Sequence, residues 1–338
     1  MVSPSKWIGP GLVGAGAFLL LSEPALAQSA LRSTGYAVQQ VVNASLVGAL
    51  YSLLAVAYAL LHGITNRIVL SFGDLATFGA FATIYPMMFM LFANWQTGLA
   101  IAMVFVMAAA AAAALGAVLQ VGVFTPLVSS PTQAIMIASI GVSITLQESL
   151  RVQSGGREQW LSPIFAEPLV ALDFDGFVVH VSGMQVIILG LAAVLLTGLA
   201  IVLARSRAGR LWRACSQNLA LARLCGIDTG RVLTWTGVAA AAFAAASGWI
   251  IAIGYGGVSF YMGLVLGLKA LFATIIGGFG TIGGAIVGGF LLAGVETLWS
   301  AYFPIVYRDV AVFLVVILIF IVKPDGLLSV GLRRDSEA

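Results

Sequence analysis

Nine stretches of this 338-residue chain, near 36–61, 67–92, 98–121, 132–150, 181–204, 232–253, 263–283, 284–301 and 309–323, are apolar and run close to the length of a bilayer-spanning helix. Inside hydrocarbon the backbone must satisfy its own amides, which leaves helices and closed barrels as spanning structures. The alternating ten-residue strands of a barrel are absent, so the expected fold is all-α. It is a polytopic membrane protein of about eight to nine transmembrane helices. Composition agrees: 61% of residues are hydrophobic and 9% charged, and a mean hydropathy of +1.06 lies outside the range of soluble domains.

The main polar interruption is a basic island holding Arg205, Arg207, Arg210, Arg213, Arg223 and Arg231. Lys and Arg next to membrane spans collect on the cytoplasmic side, which makes the island an internal loop. Counting nine crossings from an external residue 28 places the C-terminal end, with Lys323, Arg333 and Arg334, on the same inner side. Residues 151–180 fall outside and carry Glu158, Glu167, Asp173 and Asp175 against Arg151 and Arg157. The net charge of +3 is thus explained by topology, and no nucleic-acid partner is expected. Within the island, Leu211, Cys215, Leu219 and Ala222 form an apolar stripe, with Arg210, Arg213 and Gln217 on another side and Gly226 placed to end the helix. That pattern predicts one amphipathic helix across the membrane face; the other reading is a solvated loop whose arginines hold membrane lipid headgroups.

At the N-terminus, Lys6 precedes an apolar run from Ile8 to Leu21, and Ala25-Leu26-Ala27 has the small-x-small form of a cleavage site. Residues 1–27 read as a signal peptide, with an uncleaved membrane anchor as the alternative; 28–330 form the transmembrane domain and 331–338 a cytoplasmic tail.

Ionisable residues within apolar spans are costly and mark function by default. Here they are Asp74, Lys269 and Glu296, with His62, Glu148 and Asp309 near span ends. Glu296 shares a helix face with Gly288, Gly289, Leu292 and Ala293, so it points at a neighbouring helix. Lys269 is either an anchor whose stem snorkels to the interface or a partner for Glu296 or Asp74. Ser45, Gly48, Ser52, Ala55 and Ala59 make a small-residue stripe suited to helix packing or to lining a pathway. Gly280, Gly284 and Gly288 recur every fourth residue, predicting either two close-packed helices over 263–301 or two half-helices meeting at a break.

Several functions are excluded. Gly278 to Gly283 spells G-x-G-x-x-G, but within an apolar span it cannot join a strand to a helix as a dinucleotide site requires. There is no P-loop, so ATP would have to be handled by another chain. His62 and His180 fall on opposite sides, and Cys215 and Cys225 lack histidine neighbours, so neither a metal, another cofactor nor an enzymatic centre is expected.

Four segments carry a resemblance: Arg210 through Asp228, Gly267-Leu-Lys-Ala270, Gly277 through Gly284, and Lys323-Pro-Asp-Gly-Leu327. In this order and spacing the chain resembles the permease subunits of branched-chain amino acid ABC importers. The resemblance implies a permease without a catalytic centre, working with cytoplasmic ABC ATPase subunits, a second permease subunit and a periplasmic solute-binding protein. It implies that residues 214–228 form the coupling helix, with Arg213, Gln217, Asn218, Gly226 and Asp228 at the ATPase. Asp74, Lys269, Glu296, Ser45, Gly48, Gly280 and Gly284 are then pathway or helix-packing residues. The chain departs from the family at Gln217-Asn218, where an acidic pair is common, and at Val69 to Gly73. Related permeases carry urea, short amides and other amino acids, and an ion-coupled secondary transporter using Asp74, Lys269 and Glu296 is the alternative from another class.

Overall fold

The computed structural model describes residues 34–93, 95–128, 130–162, 164, 168–174, 177–278, 280–323 and 326–328. The expected signal peptide and the tail 331–338 lie outside the described residues. The elements are α1 (Thr34–Thr65), α2 (Phe72–Phe92), α3 (Thr97–Leu127), α4 (Thr132–Gln153), β1 (Gln159–Trp160), β2 (Pro168–Phe174), β3 (Phe177–Ser182), α5 (Gly183–Arg205), α6 (Arg207–Gln217), α7 (Leu219–Leu224), α8 (Thr229–Tyr255), β4 (Gly257–Val258), α9 (Met262–Gly277), α10 (Ile282–Tyr302) and α11 (Arg308–Val322). Among the described residues, eight helices are long and apolar enough to cross a membrane, and α9, at 16 residues, is a shorter apolar companion.

Burial separates the helices into an inner and an outer set. In α1 and α8 the most apolar stretch is 83% and 72% buried, whereas in α5 and α11 it is 17%, so the latter leave most of their surface uncovered by the rest of the chain. Lipid removes the hydrophobic drive for helix pairing, leaving close van der Waals packing through small residues. The sequence of α8 supplies them: Gly248 lies on the Ala76 carbonyl of α2, Gly79 of α2 on Ala245, and Gly116 of α3 on Ala241. One-turn wide bulges at Gln120–Phe124 and Ile251–Tyr255 re-aim the ends of α3 and α8.

The glycine-rich 263–301 region is two separate antiparallel helices, packed face to face, with Gly277 against Gly284 and Gly288 against the Ala273 carbonyl. The turn between them uses Gly278 at φ +110° and Gly280 at φ +82°. Gly280 therefore serves the turn's backbone conformation, with open space where a side chain would be, and the four-residue spacing contributes packing only from Gly284 onward.

Inter-loop bonds sort the connections into two ends. At one, Arg67 donates to the Ser130 carbonyl (2.6 Å), the Trp212 indole to Leu60 (3.2 Å), and the Leu327 amide to Ile276 (2.8 Å). At the other, β1 pairs antiparallel with β4, β2 with β3, and the His180 amide donates to Gln39 at 2.8 Å. The basic island and the C-terminal Lys323 lie at the first end, as counting crossings predicts. The two short ladders at the second end were not expected from an all-helical reading; they lie wholly in connections, where exposed backbone needs partners.

The single amphipathic helix expected along the Leu211 to Ala222 stripe up to Gly226, and with it the single coupling helix over 214–228, is corrected to two helices. Asn218 adopts an extended conformation and its side-chain oxygen accepts from the Ala220 and Leu221 amides (2.9 and 3.0 Å), ending α6 and capping α7. The result is an elbow.

Candidate functional site

At the acidic end, the first turns of α1 and α5, the ends of α8 and α10 and the start of α9 enclose a cavity of about 760 Å³. Leu46, Val47, Leu50, Ile188, Ile251 and Leu266 form an apolar wall, while Lys269, Glu296, Arg308, Tyr51 and Tyr255 supply a charged and phenolic part and Gln40, Asn43, Gln185, Thr297 and Ser300 add neutral polar groups. Glu296 is buried; the Tyr51 hydroxyl donates to its Oε2 at 2.7 Å and Lys269 Nζ to its Oε1 at 2.9 Å. Lys269, 3% exposed, also reaches Asp309 at 2.9 Å. Arg308 approaches through Nε, 3.3 Å from Glu296 and 3.7 Å from Asp309, at ion-pair distance without hydrogen-bond alignment. Two cations and two anions thus form one neutral quartet that ties α9, α10 and the start of α11 together. In a low-dielectric surrounding such mutual pairing is what makes buried charge tolerable.

Asp74 occupies a separate place. It is 1% exposed at the start of α2, receives hydrogen bonds from Ser143 and from Gln147 (2.9 Å) on α4, and lies against Gly263 of α9. Among the described residues no cation pairs with it. Gly73 and Gly267 let α2 and α9 meet backbone to backbone beside it, with the Tyr58 hydroxyl pointing at Gly267.

At the basic end the elbow is seated on α1. The Trp212 ring covers Gly63 while its indole donates to Leu60, and Cys215 and Ala222 pack with Ile64 and Leu233. Arg213 donates to the Leu203 carbonyl at the end of α5, and Ser206 caps α6 by accepting from Gly209 (3.1 Å). Gly226, at φ +80°, closes α7: its amide donates to Arg223 and that of Ile227 to Ala222, the paired bonds of a glycine C-cap. Asp228 then caps α8 through the Arg231 amide (3.1 Å) and pairs with the Arg231 guanidinium at 3.0 Å. Left facing outward are Arg207, Arg210, Gln217, Leu221 and Leu224, the last 83% exposed.

The profile of the family described as branched-chain amino acid transport system, permease component, matches residues 40–322. The chain belongs to this family. The permease is 33% identical over 295 residues to the high-affinity branched-chain amino acid transport system permease protein LivH of Escherichia coli K12, covering 87% of this chain and 96% of that one. It is 29% identical over 297 residues to BraD, the permease protein of the same kind of system in Pseudomonas aeruginosa, covering 86% and 95%. No solved structure matches the chain. It is a multi-pass membrane permease.

Of the residues singled out from the sequence, the permease brings Lys269 and Glu296 together and holds Asp74 apart from both. Gly48 lies under the Phe290 ring and Ser52 donates to the Ile286 carbonyl at 2.9 Å, so this part of the stripe faces α10, while the Ser45 hydroxyl bonds within its own helix to Val42. Arg308, Tyr51 and Tyr255 went unnoticed. Arg308 adjoins the flagged Asp309 at a span edge, where an arginine reads as an anchor. Ser143 and Gln147 are four apart on one face of α4, a usable signal only once their partner is known.

The two thiols give a direct check on the elbow. Cys215 is buried and desolvation pushes its thiol up from the ordinary range, while Cys225 is exposed. At mildly alkaline pH a maleimide is expected to modify Cys225 rapidly and Cys215 at least about tenfold more slowly, because the thiolate is the reactive form. Mass spectrometry of timed digests measures this, and equal rates would mean that the elbow is not seated as described.

Proposed function

We propose that the permease is the transmembrane subunit of an ATP-driven ABC importer for branched-chain or other small amino acids. The solute arrives on a periplasmic binding protein at the acidic end; cytoplasmic ABC ATPase subunits act at the basic end, where the C-terminus also lies. A second permease subunit completes the pathway. The names of the relatives support the substrate class, and the sequence's lack of a P-loop motif agrees with ATP hydrolysis on other chains.

One observation carries the reading: α1 joins the two ends. Its first turns line the cavity through Tyr36 to Tyr51, and its last turns hold the elbow through Leu60 and Gly63. A continuous 32-residue helix is stiff enough to carry a push on the elbow to the cavity wall. The outward arginines and leucines of α6 and α7 give a motor subunit both charge and apolar surface to grip.

Reconstitution tests it. Uptake into proteoliposomes should need ATP and the ATPase subunits; solute movement by the purified permease alone would overturn the assignment. If instead uptake follows a proton or sodium gradient and is abolished by Asp74→Asn, the ion-coupled alternative holds, since Asp74 is a buried carboxylate that no cation among the described residues pairs with.

For the elbow itself, Gly226→Val forces a β-branched residue to φ +80° and is expected to cost about 1–2 kcal/mol locally. Together with Arg213→Glu, which removes the tie to α5, it should weaken co-purification with the ATPase subunits severalfold while membrane insertion persists. Undiminished ATPase in both preparations would remove the elbow from the contact. Residues 1–27 complete the proposal as a cleaved signal peptide, which N-terminal sequencing of the mature chain tests by starting at Gln28 or at Met1.

A further inference from the structure

The quartet leaves one group unspent. Glu296 is held by Lys269 and Tyr51, Asp309 by Lys269, and the closest approach of Arg308 to both acids is through Nε. The two terminal nitrogens of the Arg308 guanidinium have no hydrogen-bond partner among the described residues; the side chain is 37% exposed and lines the cavity. A guanidinium offers those nitrogens as a planar fork that fits a carboxylate with two parallel bonds. Glu296 sits 3.3 Å from Nε, so an anionic and a cationic ligand group on adjacent atoms would meet fork and carboxylate side by side. That close spacing is the chemistry of an α-amino acid, whose carboxylate and ammonium share one carbon. Beyond the charges, Leu46, Val47, Leu50, Ile188, Ile251 and Leu266 form an aliphatic wall, with the amides of Gln40, Asn43 and Gln185 and the hydroxyls of Thr297 and Ser300 elsewhere in the lining, and the volume lies within the usual range for small-molecule sites.

We propose that this cavity is a solute-binding station in which Arg308 is the carboxylate anchor, Glu296 faces the ammonium, and the aliphatic wall takes a branched hydrocarbon side chain. The assignment rests on the importer reading and sharpens it, because it separates α-amino acids from urea and short amides, which have no carboxylate to place on the fork. Lys269 acts as a positioning residue: by holding both acids it keeps Asp309 from closing over Arg308.

The test is substrate protection in the assembled transporter, in nanodiscs and without its solute-binding protein. Val265, 48% exposed, lines the cavity and is replaced by cysteine in a Cys225→Ser background, so that a thiol reagent reports occupancy. Leucine is expected to slow labelling, 4-methylpentanoate to do so more weakly, and leucinamide and urea not at all. Arg308→Gln should raise the half-protecting leucine concentration at least about tenfold, the loss of roughly one charge-assisted bond, with Arg308→Lys in between. Equal protection by leucinamide or urea, absence of protection by millimolar leucine, or an unchanged midpoint in Arg308→Gln would each overturn the proposal. The ligand series on the Val265→Cys protein does not depend on the arginine variants folding. ATP-dependent uptake that persists without any cavity protection would refute this station while leaving the importer reading intact.

Discussion

Gly288→Leu is expected to abolish accumulation of the folded permease. A Cβ at 288 overlaps the Ala273 carbonyl oxygen and lies 3.0 Å from the Gly277 amide nitrogen, so the obstacle is backbone that cannot swing aside as a side-chain tip can. Overpacking ordinarily costs about 1–3 kcal/mol, and a clash with helix backbone belongs at or above the upper end. The damage would spread, because α10 also forms the most extensive helix contact of the fold, with α1, through Gly289 on Ser52 and Phe290 on Gly48. The control is Gly294 on the same helix, where an added Cβ meets nothing within 4 Å. Gly294→Ala should be neutral or stabilising by up to about 1 kcal/mol, since it restricts the unfolded chain without a clash. Monodisperse yield by size exclusion compares the two, and a Gly288→Leu protein that elutes like the parent would show that α9 and α10 are not packed this closely.

That glycine pair shows what the sequence can reveal and where it stops. Apolar length alone located the spans, since hydrocarbon forces helices, and the structure's spans coincide with them to within about six residues at either end, with α9 shorter than expected. The alternation of ends was legible because charge records it. Packing was legible only where partners are close in sequence: Gly277 and Gly284 are joined by a short turn, and Lys269 and Glu296 lie 27 residues apart across the same hairpin. The Asp74 cluster was not, since Ser143 sits 69 residues away on another helix and nothing local to either residue names the other. The break at Asn218 was hidden by the continuous stripe from Leu211 to Ala222, although asparagine is among the strongest N-cap residues and offered the competing signal. The β1–β4 ladder escaped because two-residue strands have no periodicity to read, and β2 and β3, seven and six residues long, because they lie in a segment read only as an acid-rich external loop.

The second large effect falls on Lys269. Lys269→Met keeps most of the stem's apolar volume but removes the ammonium that both Glu296 and Asp309 use at 2.9 Å. Glu296 would remain buried with the Tyr51 hydroxyl and a poorly aligned Arg308 as its company. Breaking a buried pair from one side leaves an uncompensated charge, at a cost of about 3–5 kcal/mol. Glu296→Gln in the same chain removes that charge, and its amide oxygen can still accept from Tyr51. The double variant is therefore expected to be more stable than Lys269→Met alone, with a coupling on the order of 1–3 kcal/mol. Thermal unfolding of the parent, both single variants and the double variant in one detergent measures the cycle. Simple additivity would mean that the two side chains do not share their burial. The partly recovered double variant also separates structure from transport: it regains part of the lost stability while leaving Arg308 opposite an amide, so stability should rise above that of Lys269→Met and leucine protection of the cavity should not return.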